Sequence, residues 1–362
     1  MDKYNIDSHK LMYHPIEVSN WLKAKNWDEL KKIYPIYVEI SPYGGCNHRC
    51  SFCALDYMGY ANIAIDFEVL KNTITQMANN GVKSIMFAGE GEPLLFKNLD
   101  LITKHCTKVG IDSSLTTNFV PIRKNNVEML MENCSWIKVS LNAGRKQTYA
   151  NIHNTKEEDF NKVITNLQDA INHKRKKNLK CTLGVQTLLL PENKDEMKIL
   201  AKLVKDIGVD YLVIKPYSQH NFSKTNKYEN IDYSKMLYLK EELEEFNDDN
   251  FNVIFRINTI KKFIKKTHLY DKCHSTPFFW AYIASDGKVF GCSAYLGDDR
   301  FCYGNIYESN FSEIWEGDKR KTSYKFIQNE LDISNCRLNC RMDNINEYLY
   351  RLKNPNEHDN FI

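Results

Sequence analysis

Three cysteines near the start of the chain constrain its fold most. Cys46, Cys50 and Cys53 form a C-x3-C-x2-C triplet, which follows a short apolar segment, Tyr37 to Ser41, that is predicted to be a strand. With cysteines scattered at their overall frequency, only about 0.01 such spacings would occur by chance in this chain. Three thiolates on one loop can bind three irons of a cubane cluster and leave the fourth iron open. A zinc site completed by His48 is the alternative, although His48 lies inside the triplet.

The same loop resembles the radical S-adenosylmethionine (SAM) enzymes, because an aromatic residue, Phe52, precedes the last cysteine. The resemblance implies a [4Fe-4S] cluster on Cys46, Cys50 and Cys53, with SAM bound at the open iron and Phe52 against its adenine. It also implies that the reduced cluster cleaves SAM to a 5′-deoxyadenosyl radical, so that the cofactor performs the difficult chemistry.

Composition excludes several other classes of protein. The 362 residues contain 49 Lys and Arg against 46 Asp and Glu, and this near balance gives no broad field for nucleic acid or an anionic membrane surface. No apolar run reaches the roughly 20 residues that span a bilayer. The 11 cysteines are an odd number, and the polar start has no secretory signal, so we expect a reduced cytoplasmic protein.

Alternating strand-like and helix-like segments predict βα units around a parallel sheet. We expect a partial (β/α)6 TIM-type barrel over residues 35–250, after an N-terminal lead-in at 1–34. The predicted strands are Tyr37 to Ser41, Ser84 to Phe87, Ile111 to Thr117, Trp136 to Asn142, Cys181 to Leu189 and Tyr211 to Pro216. The predicted helices include Phe67 to Asn80, Leu99 to Val109, Glu158 to Asn172 and Glu196 to Ile207.

Polar residues follow several of these strands, at the edge where parallel βα folds bind ligands. After the second strand come Gly89, Glu90, Gly91 and Glu92, which resemble the family's glycine-rich motif for the SAM amino group. Residues at later strand ends resemble the family's ribose and carboxylate contacts. These are Thr117, Asn118, Ser140, Asn142 and Gln186. Each of these polar residues could instead simply cap its strand.

Four further cysteines could bind a second metal centre in a C-terminal domain at residues 251–345, before a tail at 346–362. They are Cys273, Cys292, Cys336 and Cys340. Asp286-Gly287 predicts a hairpin turn that brings the first two together. The spacing C-x13-G-x4-C resembles SPASM and twitch auxiliary domains, and the lack of a C-x2-C-x5-C run favours one auxiliary [4Fe-4S] cluster. A structural zinc is the alternative.

The remaining cysteines and the residues at the end of the sixth predicted strand include candidates for catalytic roles. Cys106, Cys134 and Cys181 are expected in the core or away from the site, which leaves Cys302 as a candidate hydrogen donor for an epimerisation. Dehydrogenation would instead need a base, for which Lys215 and His220 are candidates.

We expect a small, carbohydrate-like substrate, namely a sugar, an aminocyclitol or a similar polyol, and a flavodoxin- or ferredoxin-type electron donor. Maturation of a ribosomal peptide is the alternative reaction. A non-catalytic iron–sulfur or zinc protein is the alternative from another class.

Overall fold

Ten strands form a single sheet in the computed structural model, which describes residues 3–265 and 267–361. Their order across the sheet is β10-β9-β8-β1-β2-β3-β4-β5-β6-β7. The strands are β1 (Tyr37–Ile40), β2 (Ser84–Phe87), β3 (Asp112–Thr117), β4 (Cys134–Ser140), β5 (Thr182–Leu189), β6 (Tyr211–Pro216), β7 (Asn252–Phe255), β8 (Trp280–Ile283), β9 (Lys288–Phe290) and β10 (Cys302–Asn305). Strands β1 to β7 are parallel, and β8 pairs in parallel with β1.

Helices connect the parallel strands and cover the sheet. The helices are α1 (Pro15–Lys23), α2 (Trp27–Leu30), α3 (Phe67–Asn79), α4 (Leu99–Lys108), α5 (Lys124–Asn133), α6 (Lys146–His153), α7 (Glu157–Lys177), α8 (Met197–Ile207), α9 (Leu239–Glu244), α10 (Ile257–Lys265), α11 (Phe311–Glu316), α12 (Asp318–Asn329) and α13 (Asp343–Lys353). Their boundaries have local causes. Asp66 accepts hydrogen bonds from the first backbone N–H groups of α3, and Gly208, with φ +94°, ends α8. Within the described residues, no helix is long and apolar enough to cross a bilayer.

The sheet is an open, partial barrel, as predicted, but it is larger than six strands. The predicted barrel ends at residue 250, whereas Asn252–Phe255 pairs in parallel with β6 as a seventh strand. Its main core lies between the sheet and the helices and contains, for example, Val38, Ile85 and Leu183, all fully buried. Cys106, Cys134 and Cys181 are buried in this core, as expected of residues with no role at the site.

The C-terminal region continues the barrel sheet. Strands β8 and β9 are antiparallel around the predicted turn, where Gly287 has φ +85° and an added Cβ would meet Asn305. This conformation requires glycine. Because β8 also pairs with β1, the hairpin is fixed directly against the barrel.

The predicted lead-in and tail pack together against the C-terminal region. Val18 and Trp21 of α1 share a buried cluster with Phe278, Phe279 and Leu349. Helix α13 therefore crosses the predicted boundary at 345, and its Leu349 packs in this buried cluster.

Candidate active site

One cavity of about 820 Å³ runs along the inside of the barrel. It extends from Ser84, at the start of β2, to Gly89, just past its carboxyl end. Two cysteines of the triplet, Cys50 and Cys53, and one of the C-terminal group, Cys340, line it. Both cysteine groups therefore open into the same space. The volume lies within the roughly 300–1,000 Å³ that is typical of small-molecule sites.

The cysteine triplet lies on the loop after β1 and is partly buried. Burial raises the pKa of all three thiols, and each of Cys46 and Cys50 feels the charge of other cysteines in the triplet. Desolvated thiols gathered in this way ionise readily only beside a positive centre, so the donor set fits a bound metal cluster.

His153 adds a contact to the triplet that the sequence did not reveal. Its Nδ1 lies 3.4 Å from Cys50 Sγ, and its Nε2 accepts from the Asn142 side-chain amide at 3.1 Å. Because Nε2 is an acceptor, Nδ1 carries the proton and donates it towards the sulfur. His48, Cys50 and His153 form a compact group of potential ligands, but His48 Nε2 lies 3.3 Å from Asp159 and His153 is already a donor. This arrangement does not support zinc on His48.

The glycine-rich segment after β2 packs closely against neighbouring parts of the site, and of its two glycines only Gly89 is among the described residues that line the cavity. Gly89 lines the cavity with φ +126°, where a Cβ would lie 2.4 Å from Tyr282 Oη. At Gly91 a Cβ would lie 2.3 Å from the Gly45 carbonyl oxygen, so the segment packs directly on the cysteine loop.

The two carboxylates of this segment, expected near the SAM amino group, are already bonded within the protein. Glu90 accepts from Ser285 N at 2.9 Å and Ser285 Oγ at 3.0 Å, which ties β2 to the β8–β9 turn. Glu92 accepts from Thr117 Oγ1 at 2.5 Å and Asn118 N at 2.7 Å. Burial raises the pKa of Glu92 to about 7. Neither carboxylate is among the described residues that line the cavity.

Of the six remaining residues that we expect to contact SAM, four are among the described residues that line the cavity, and two are not. Phe52, Ser140, Asn142 and Gln186 line the cavity. Thr117 is buried against Glu92. Asn118 Nδ2 donates to Asn47 Oδ1 at 2.8 Å, inside the cysteine triplet. These contacts place Thr117 beside Glu92 and Asn118 beside the cysteine loop, and their contact with SAM stays a prediction.

The four C-terminal cysteines come together, as the spacing predicts. Burial raises the pKa of Cys292, which also feels the charges of Cys340, Cys273 and Cys336. Backbone and side-chain N–H groups approach the sulfurs. Met342 N lies 3.4 Å from Cys340 Sγ, and Asn346 Nδ2 lies 3.5 Å from Cys273 Sγ. Four partly buried thiols in one group are a donor set that fits a [4Fe-4S] cluster or a structural zinc.

Lys215 and His220 are placed very differently. Lys215 lines the cavity, and burial lowers its pKa well below its usual value, with a further decrease from nearby cations, the largest from Lys138. His220 is buried, stacked on Tyr57 at 5.0 Å; its Nδ1 accepts from Phe222 N and its Nε2 lies 3.4 Å from the Ser293 carbonyl. Both ring nitrogens are thus used within the protein. This placement argues against His220 as the base.

Cys302 does not reach the cavity. It lies in β10, the edge strand two positions from β8, and is not among the described residues that line the cavity. Burial raises the pKa of the Cys302 thiol. The prediction that this thiol returns hydrogen to a substrate radical therefore lacks geometric support, because a donor must touch the reacting carbon.

Sequence reasoning missed several other cations of the cavity, among them Lys138 on β4 and Arg337 between two of the C-terminal cysteines. A signal was present for Lys138: it shares one face of β4 with Trp136 and Ser140, opposite the buried Ile137 and Val139, so it faces the barrel interior. For Arg337 the sequence carried no such signal.

Comparison with known protein families agrees with this geometry. The radical SAM superfamily model matches residues 40–204, and the model of an iron–sulfur cluster-binding domain, SPASM, matches residues 273–341. The chain therefore belongs to the radical SAM superfamily and carries a SPASM-type auxiliary domain. Its cofactors are SAM and [4Fe-4S] clusters, one on the triplet and one on the C-terminal cysteines.

Two curated relatives are similar in sequence to part of this chain. The probable GTP 3′,8-cyclase of Pyrobaculum aerophilum is 26% identical over 181 residues, 45% of this chain and 52% of that protein. The 7-carboxy-7-deazaguanine synthase of Methanocaldococcus jannaschii is 25% identical over 225 residues, 58% of this chain and 84% of that protein. The chain thus spans about half the length of the cyclase.

Two solved structures share the fold. Streptococcus suis SuiB bound to the precursor peptide SuiA has a TM-score of 0.64 at 19% identity, covering 85% of this chain and 69% of that one. The protein anSMEcpe with bound AdoMet and the Cp18Cys peptide has a TM-score of 0.58 at 21% identity, covering 86% and 88%. At such identities the likeness establishes the fold alone.

Proposed function

We propose that the protein removes a hydrogen atom from a carbon of a sugar, an aminocyclitol or a similar polyol and oxidises that carbon. The observation that carries this proposal is that Cys50, Cys53 and Cys340 line the same cavity. A substrate in this space lies close to both cysteine groups. When bound, the cofactors supply a hydrogen-abstracting radical and an acceptor for the electron that the substrate loses.

Polar side chains of the cavity suit a substrate rich in hydroxyl groups. Ser84, Ser114 and Ser218 line it, and each of their hydroxyl groups can both donate and accept a hydrogen bond. Asn339 adds a side-chain amide. A site built from such groups discriminates strongly for partners that satisfy them, because unpaired buried polar groups are costly.

Lys215 is the residue that we assign as the base in this oxidation. Burial and neighbouring cations hold the pKa of Lys215 well below its usual value, which favours the neutral amine that accepts the proton of a substrate hydroxyl. The carbon that bears the hydroxyl would lose its hydrogen atom to the radical, the hydroxyl oxygen would lose its proton to Lys215, and one electron would pass to the auxiliary cluster, so that a carbonyl forms. Dehydrogenation is favoured over epimerisation because Lys215 lines the cavity and Cys302 does not.

Modification of a ribosomal peptide is the second candidate function. The shared fold with SuiB bound to its precursor peptide supports it, as does the open edge of the sheet at β7. Small-molecule substrates remain our first choice, because the cavity has the volume of a small-molecule site.

We also propose a flavodoxin- or ferredoxin-type reductant and a cytoplasmic location. The support for the location is that all 11 cysteines are unpaired, as in a reducing compartment.

The test is anaerobic turnover of the reconstituted protein with sugars, aminocyclitols and synthetic peptides. We expect a polyol product two mass units lighter than its substrate, and 5′-deoxyadenosine in equal amount. Lys215→Met should lower product formation by about 100-fold or more, which is the usual contribution of a general base. Lys104→Met, at an exposed lysine of α4, is the matched control.

Three results would contradict this assignment. A product of unchanged mass that carries one solvent deuterium in heavy water would indicate epimerisation. Turnover of peptides alone would indicate the second candidate. Full activity of Lys215→Met would show that Lys215 is not the base.

A further inference from the structure

One residue of α13 contacts the loop that carries Cys273, the first of the four predicted ligands of the auxiliary cluster. Asn346 is 1% exposed, and its Oδ1 accepts from His274 N and from Ser275 N, each at 2.8 Å. These are the first two backbone N–H groups after Cys273. Asn346 therefore fixes the backbone immediately beyond this cysteine.

The two backbone contacts determine how the amide of Asn346 is oriented. A backbone N–H group only donates, so the side-chain atom that faces both of them is the oxygen. The amide nitrogen then points away from them, and Nδ2 lies 3.5 Å from Cys273 Sγ. The side chain of Asn346 thus donates to the cysteine sulfur. A second, longer contact to the same sulfur comes from Ser275 Oγ at 3.8 Å.

Neighbouring helices hold this arrangement in place. Asp343, the first residue of α13, is buried; it accepts from Tyr270 Oη at 2.9 Å and lies 3.0 Å from His268 Nδ1. From α12, Gln328 Nε2 donates to the Cys273 carbonyl at 3.2 Å. Cys273 is therefore held between α12 and α13, and a change at Asn346 acts on a loop that is otherwise fixed.

Neither the family comparison nor the cysteine spacing gives Asn346 a role. The model of the iron–sulfur domain ends at residue 341, and the sequence predicted a tail from residue 346. The contact between Asn346 and Cys273 joins residues 73 positions apart, so only the folded chain reveals it.

A hydrogen bond to a cysteine ligand changes the properties of an iron–sulfur cluster. Such a bond stabilises the reduced cluster, which carries one more negative charge, and so raises the reduction potential. The effect is strong in a buried site, because a low local dielectric constant strengthens each hydrogen bond. Residues around the ligands also fix the orientation of those ligands.

We propose that Asn346 is a positioning residue of the auxiliary metal centre. Its amide oxygen fixes the loop of Cys273, and its N–H group donates to the Cys273 sulfur and raises the reduction potential of the cluster. The inference concerns the metal centre and does not depend on the proposed substrate.

The test is an anaerobic redox titration of the reconstituted protein, followed by electron paramagnetic resonance. The signal that does not change on addition of SAM identifies the auxiliary cluster. Asn346→Leu removes the oxygen and the N–H group at a similar side-chain volume. Asn346→Asp keeps an oxygen for the two backbone N–H groups and removes the donor. Parent and variants are compared at pH 9, where the new carboxyl is ionised.

Both variants should lower the potential of the auxiliary cluster. The loss of one hydrogen bond to a charged group should change the ratio of reduced to oxidised cluster, at a fixed potential, about tenfold. For a one-electron couple this corresponds to about 59 mV. Asn346→Leu should also lose auxiliary iron faster to a chelator, because two buried backbone N–H groups lose their acceptor.

Matched controls are Asn329→Leu and Asn329→Asp, since Asn329 is exposed at the end of α12 in the same domain. Iron content and the SAM-dependent signal are measured for each variant. If Asn346→Leu does not fold, Asn346→Asp decides the result.

A lowered auxiliary potential in Asn346→Asp, with an unchanged SAM-dependent signal, supports the inference. Selective loss of the auxiliary iron, from about eight to about four irons per chain, supports the positioning of Cys273. The inference is overturned if Asn346→Asp keeps the iron and the potential of the parent, or if the Asn329 variants show the same decrease. Loss of both clusters together would also overturn it, because it would indicate a general effect on the fold.

Discussion

Replacing His153 by phenylalanine should lower the reduction potential of the cluster held by the triplet. The histidine lies 3.4 Å from Cys50 Sγ and, with Asn142 donating to its Nε2, presents a protonated Nδ1 to the sulfur. Such a donor stabilises the more negative, reduced cluster, and hydrogen bonds to the sulfurs are among the factors that set cluster potentials. Phenylalanine keeps the stacking of the ring on Tyr149 at 4.1 Å and removes the donor.

The size of the effect follows from one neutral hydrogen bond. Such a bond has a net value of about 0.5–1.5 kcal/mol. For a one-electron couple, in which about 1.4 kcal/mol corresponds to 59 mV, the potential should fall by about 20–65 mV.

The assay is an anaerobic redox titration followed by electron paramagnetic resonance, in which the signal that changes on addition of SAM identifies this cluster. His105→Phe, on α4 and outside the cysteine triplet and the C-terminal cysteine group, is the control. An unchanged or raised potential in His153→Phe, or an equal decrease in His105→Phe, would refute the reasoning.

Two further predictions concern the glycine-rich segment. Glu92→Gln should flatten the dependence of stability on pH: the folded protein holds a proton on this carboxyl up to about pH 7, whereas the unfolded chain releases it near 4.5. Its stabilising contribution is thus present below pH 4.5 and is lost as the pH rises through 7, by roughly 3 kcal/mol in total. Anaerobic denaturant unfolding at pH 5 and pH 8 measures this, and equal slopes in parent and variant would contradict it. Gly91→Ala should displace the cysteine loop, because the new Cβ would overlap the Gly45 and Tyr43 carbonyl oxygens. Reconstituted iron should then fall from about eight to about four per chain, and a full complement would show that the loop adapts.

Local patterns predicted the fold well where a strand is a continuous apolar run. The bounds of β2 and β6 match the predicted segments, since each begins after a polar residue and ends at a distinct break. Strand β7 was missed because its four residues follow a long polar stretch and carry no periodicity of their own. The pairing of β8 with β1 joins residues about 240 positions apart, which no local pattern can reveal.

In the candidate site, too, local sequence patterns predicted some features, whereas others depend on contacts between distant residues. Cysteine spacing is a local signal, and both predicted groups come together. The roles of Glu90 and Glu92 depend on Ser285 and Asn118, partners that only the folded chain brings near. That these carboxylates contact SAM stays a prediction; in the folded chain their oxygens accept hydrogen bonds from Ser285, Thr117 and Asn118.

The central claim is that the triplet binds the cluster at which SAM is cleaved. The most direct measurement is the yield of 5′-deoxyadenosine from SAM and a chemical reductant, with the anaerobically reconstituted protein. We predict steady formation by the parent and by Cys106→Ala, which changes a cysteine buried in the core, and none by Cys50→Ala. Continued cleavage by Cys50→Ala, or no cleavage by an iron-loaded parent, would contradict the account.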